Sequence, residues 1–119
     1  MSNYGYYLPL HPNTFETSRF IGIAPKNEGI GENISQKKDK DGTPVWVVSC
    51  LVKVSGGSQE METFTLSAST EIANKIKAIE ELTPVRLVGL SGGKWSKAVT
   101  DKTTWSFQIS GLEILKAQQ

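Results

Sequence analysis

One stretch of the sequence changes period, and its place among its neighbours limits the fold. In TEIANKIKAIEEL, from Thr70 to Leu82, the isoleucines Ile72, Ile76 and Ile79 recur at helical spacing with lysines and glutamates between them. Ser69 or Thr70 suits the N-cap, and Glu71 the positive end of the helix dipole. Thr83-Pro84 stops the helix, because a proline disfavours helical backbone in the residue before it. The remaining apolar segments read as strands, three before the helix and two after it.

The first is TSRFIGIA, Thr17 to Ala24, rich in β-formers and carrying Gly22, which permits a bulge. The second, PVWVVSCLVKV from Pro44 to Val54, starts with a proline where a missing N–H costs least. Both of its parities are largely apolar, which predicts cover on both faces. A Ser55-Gly56-Gly57-Ser58 turn then leads into METFTLSA, so strands two and three form a hairpin in which Phe64 and Leu66 share a face. VRLVGL, from Val85, is the fourth strand. TTWSFQISGLEIL is the fifth, with Trp105, Phe107 and Ile109 on one face, Thr104, Ser106, Gln108 and Ser110 on the other, and Gly111 free to bend it. Alternation assigns Trp105 to the core.

Between these segments lie a long, mobile loop, PKNEGIGENISQKKDKDG, and a second irregular loop, SGGKWSKAVTDK. Residues 1–14, with Tyr4, Tyr6 and Tyr7 and no periodicity, read as an extended N-terminal arm whose aromatics pack on the domain or on a second subunit. Residues 15–119 then form a single domain, large enough to fold without staples. A single cysteine, Cys50, excludes an intramolecular disulfide and a cysteine-based metal cluster, and with no basic, apolar leader the expectation is a reducing, cytoplasmic setting. No apolar run approaches the ~20 residues needed to span a bilayer. The net charge of +1 rules out a strong global field for phosphate backbones, so any nucleic-acid site must be local.

Three strands, a helix and two strands make a β-rich chain in the order of a five-stranded OB-fold Greek-key barrel, with its helix between strands three and four. DGTPVWVVSCLVKV, a charged loop turning into a long apolar strand, resembles the corresponding hairpin of bacterial single-stranded DNA-binding proteins and the small SSB-like proteins of plasmids and other mobile elements. The resemblance covers residues 17–115. It implies a binding face over strands two and three, flanked by the loops at 25–43 and 91–102. It also implies single-stranded DNA, or RNA, as partner, a homodimer or homotetramer, and no cofactor. The acidic, glycine-rich tail with which many of those proteins recruit partners has no counterpart in the closing LEILKAQQ, so recruitment of that kind is not expected. If TSRFIGIA were not a strand, a β-grasp would replace the barrel.

The chemistry-bearing residues point to binding rather than catalysis. The one histidine, His11, sits beside Pro12 in the arm, and Cys50 lies in an apolar strand with no histidine near it in sequence. SGGKWS lacks the spacing of a phosphate-cradling loop. Lys94-Trp95-Ser96-Lys97 sets a tryptophan between two lysines, a stacking surface beside charges that can meet phosphates; alternatively Trp95 folds back as a lid over one barrel end. Trp46 and Phe64 are further stacking candidates if they stand on the outer face, which alternation cannot decide for Trp46. Between residues 86 and 102, Arg86, Lys94, Lys97 and Lys102 stand against Asp101 alone, a local surplus of +3 (4 − 1). Lys53 on strand two and Lys37 and Lys38 in the first loop add possible phosphate contacts, with Lys40 nearby and Asp39 and Asp41 diluting them. Two expectations follow: a domain that binds single-stranded nucleic acid with little sequence preference, or a protein-interaction or assembly module with the same fold.

Overall fold

A computed structural model describes residues 4–9, 15–29, 31–54, 56–96 and 103–115. The chain is mostly β with one α-helix. In chain order the strands are β1 (Tyr4–Pro9), β2 (Phe15–Pro25), β3 (Asn27–Glu28), β4 (Ser35–Gln36), β5 (Val45–Val54), β6 (Gln59–Ser67), β7 (Val85–Val88), β8 (Ser91–Ser96), β9 (Thr103–Ile109) and β10 (Gly111–Ile114). The helix, α1, spans Thr70–Lys77 between β6 and β7. A six-stranded mixed sheet runs β1-β8-β9-β6-β5-β2, and β7 with β10 and β3 with β4 form two small ladders. Every pairing is antiparallel except β6 with β9, where Phe64 meets Phe107 and Leu66 meets Ile109.

Alternation along β5 and β6 sorts the core from the surface. Val48, Cys50 and Val52 on β5 and Phe64 and Leu66 on β6 are at most 1 % exposed, whereas the opposite parity, apart from the buried Val45 at the start of β5, is half-buried or exposed. The expectation that this strand is covered on both faces is therefore corrected: Val47, Ser49, Leu51 and Lys53 are half-buried, so one face carries the core. TSRFIGIA is indeed a strand, within β2, which removes the premise of a β-grasp. A register shift falls between Phe20 and Gly22, where the sequence offers its bulge-forming glycine.

The hairpin after the helix is bent in both arms. Gly89 (φ 64°) separates β7 from β8, and Ser110 separates β9 from β10, with Ser110 Oγ donating to the Val88 carbonyl. A side chain at position 89 would run into Ser110, so the bend needs glycine. Before the bend β7 lies near β2, joined by an Arg19–Pro84 bridge, Phe20 N–H to Thr83 O and Leu82 N–H to Phe20 O. After it, β8 and β9 turn away and carry β1 on their free edge.

The helix is shorter than its pattern. Ser69 caps it, its hydroxyl accepting from the Ile72 N–H, but it ends at Lys77, and Leu82 takes a left-handed φ of 71° to reach Phe20. Ala73 and Ile76 are buried and Ile79 is half-buried, while Ile72 is 50 % exposed: the buried stripe is rotated from the one the isoleucines mark. The first long loop is also more ordered than its composition suggests. It holds the β3–β4 ladder and a 3-10 turn over Gly31–Asn33, and Lys26 and Lys37 tie it by backbone hydrogen bonds to Val45 at the start of β5.

Candidate nucleic-acid interface

The sequence-predicted residues separate into three places. Phe64 is core, 1 % exposed and edge-on to Phe15 with centroids 5.9 Å apart, so no base can stack on it. Trp46 shares the inward parity of Val48, packs against the core, and donates its indole N–H to the Ala68 carbonyl at 2.8 Å. Both leave the list of stacking residues, because the inner face of the sheet claims them. The outward residues of β5 and β6, Val47, Ser49, Leu51, Lys53, Met61, Thr63 and Thr65, include no aromatic side chain.

The cations on and around that sheet are scattered. Lys53 is half-buried on β5, opposite Gln59. Arg86 is exposed on β7 and its guanidinium is 3.9 Å from Glu113, a loose surface pair. Lys37 and Lys38 are exposed in the first loop, beyond which Asp39 accepts from the N–H groups of Thr43 and Asp41. Those bonds, the Thr43 one foremost, hold the Asp39 carboxyl below its usual range. Along the core-facing parity of β6, burial pushes the Glu62 carboxyl up, with Glu60 adding to the effect, so phosphate would not be welcomed there.

The third place is the β1–β8–β9 extension. SGGKWS, expected as loop, is strand β8: its glycines Gly92 and Gly93 are buried between two neighbouring strands, where a strand glycine allows close backbone approach. The register then assembles residues the sequence keeps far apart. Tyr6, Lys94 and Trp105 occupy one cross-strand row, Gly5, Trp95 and Thr104 the next, and Tyr4, Ser96 and Thr103 the third. The tyrosine arm is thus the neighbour of the lysine-tryptophan segment. No pattern within either segment signals that pairing; the only hint is that YGYYLP is uncharged and rich in β-forming aromatics. The side chains of Lys94, Trp95 and Trp105 are outside what the structure describes, so their place is that of their backbone. Lys97, Lys102 and His11 lie outside the described residues altogether.

No protein-family model, curated protein or solved structure matches the chain. Among the described residues no group of three or more His, Cys, Asp and Glu could hold a metal ion, and no helix is long and apolar enough to cross a membrane. Cys50 is fully buried, and that burial pushes its thiol up to about 12, which keeps it neutral and poorly nucleophilic.

Proposed function

We propose that the chain is an OB-type barrel that binds single-stranded nucleic acid, DNA before RNA, with low sequence specificity and without catalysis, through its β1–β8–β9 extension. The observation that carries the proposal is the register that sets Lys94 between Tyr6 of β1 and Trp105 of β9, with Trp95 in the adjoining row between Gly5 and Thr104. Stacking on such aromatics contributes roughly 1–3 kcal/mol per base and tolerates any base, while Lys94, Lys97 and Lys102 supply backbone neutralisation. The barrel part rests on strand order: β2, β5, β6, then the β9–β10 arm, then the β7–β8 arm, and back to β2 at Arg19–Pro84, with β6–β9 as the parallel pair. That is the neighbour order of an OB barrel. The aromatic-free outer face of β5 and β6 moves the contact from the sheet centre to the extension and its 97–102 connection.

Titrating the protein with oligo-dT at low salt tests the proposal. Tryptophan fluorescence is quenched, the apparent affinity falls steeply with salt, and Trp95→Ala or Lys94→Ala/Lys97→Ala weakens it. Absence of quenching and of gel retardation with every single-stranded oligomer at low salt would sink it.

A second reading, an assembly module, is favoured by β1 itself. It pairs with β8 on one edge, and its residues Tyr4–Pro9 include no charge to discourage pairing of the other edge. A homodimer formed through that edge is compatible with either reading. Light scattering that reports a dimer, lost on deleting residues 1–12 and unaccompanied by any response to oligonucleotides, selects assembly as the function.

A further inference from the structure

The seam between β2 and β7 is zipped at one end only. The Arg19–Pro84 bridge and the Phe20–Thr83 hydrogen bond hold it, yet no ladder pairs Phe15–Ser18 with Val85–Val88. A cleft of about 580 Å³ opens there, running from Phe15 to Arg19 on one wall and from Pro84 to Gly89 on the other.

Main-chain groups of both walls face this cleft. Phe20 N–H points across the seam, and since main-chain groups alternate sides along a strand, those of Ser18 point the same way. On β7 the carbonyls of Pro84 and Val88 serve the β10 side, receiving the N–H groups of Leu115 and Ser110, which turns the main-chain groups of Leu87 toward the cleft. Side chains alternate too: Ser18, Val85 and Leu87 are buried, and Thr17, Arg19 and Arg86 are exposed. The charges lining the cleft balance, Arg19 and Arg86 against Glu16 and Glu113.

We propose that this cleft is a peptide site that accepts an extended, charge-balanced segment of a protein partner as an added strand, with apolar side chains at alternate positions turned inward. Another polypeptide backbone is what matches donors and acceptors at strand spacing on the cleft walls. A polyanion gains nothing from a lining with no net charge, so nucleic acid is disfavoured here, and the site stands apart from the β1–β8–β9 extension.

The test titrates the intact, ¹⁵N-labelled chain with the capped peptide Ser-Val-Thr-Val-Thr-Val-Ser, followed by NMR. Saturable shifts confined to the amides of residues 16–19 and 85–89 are expected, with slowed exchange of the Leu87 amide. The same peptide N-methylated at alternate residues should bind at least tenfold more weakly, because its backbone no longer pairs. The proposal is overturned if neither segment shifts, or if N-methylation changes nothing. It is overturned equally if the Glu analogue Ser-Val-Glu-Val-Glu-Val-Ser binds more tightly, or if oligo-dT shifts these amides and displaces the peptide.

Discussion

The outer face of β5 and β6 and the β1–β8–β9 extension are both β-sheet, yet they offer opposite surfaces. On the first, the large aromatics have gone inward: Phe64 joins Phe15 and Phe107 in an edge-to-face and tilted cluster, Trp46 is tethered to Ala68, and the surface is left to serine, threonine, lysine and aliphatic groups. On the second, pairing aligns tyrosine, lysine and tryptophan positions from three distant segments. An aromatic residue in a β-rich chain is therefore a ligand candidate only once its parity is known. The same side chain that stacks on a base from one face of a strand stabilises the core from the other.

The contrast breaks most easily in the core. Phe64→Ala should destabilise the fold by about 3–5 kcal/mol, read as a large drop in thermal midpoint; a drop within error would show that Phe64 is not interior. Trp95→Ala should do the reverse, leaving the midpoint nearly unchanged while weakening oligo-dT binding by roughly 1–3 kcal/mol in a fluorescence titration. A lowered midpoint with unaltered affinity would make Trp95 a lid. Trp46→Phe keeps an aromatic ring, though a smaller one, and removes the Ala68 hydrogen bond, so chemical denaturation should show a loss of at least about 0.5–1.5 kcal/mol with no change in binding.

The smallest effect is one of pH. The folded-state pKa of Glu62 is raised above its ordinary 4.5, so the folded chain holds the proton more tightly than the unfolded one. Stability should fall as pH rises from about 4.5 through the raised value, and Glu62→Gln should flatten that part of the profile. A profile unchanged by the substitution would place the carboxylate in open solvent.

Much of the fold was legible because periodicity reports burial. The β2, β5 and β6 strands and the α1 helix form where their patterns lie, although α1 ends early and buries a different stripe, and Phe64 with Leu66, opposite Thr63 and Thr65, already had the alternation of an inward face. Trp46 was not decidable, since Val45 and Val47 beside it are as apolar as its own parity. The extension was the least legible part. Gly92-Gly93 reads as a turn, and only the neighbouring strands show that glycine is there for close packing. Pairing between residues near 6, 94 and 105 is long-range, and no local pattern encodes it.

The parallel pairing of β6 with β9 has a consequence for synthesis. The edge of β6 that will receive Phe107 and Ile109 is finished long before those residues leave the ribosome, and for that interval it is an open template for a neighbouring nascent chain. Glu60 and Glu62 sit on that strand just ahead of the paired segment. A negative charge on the core-facing side of a waiting edge discourages intermolecular pairing while the partner strand is still missing.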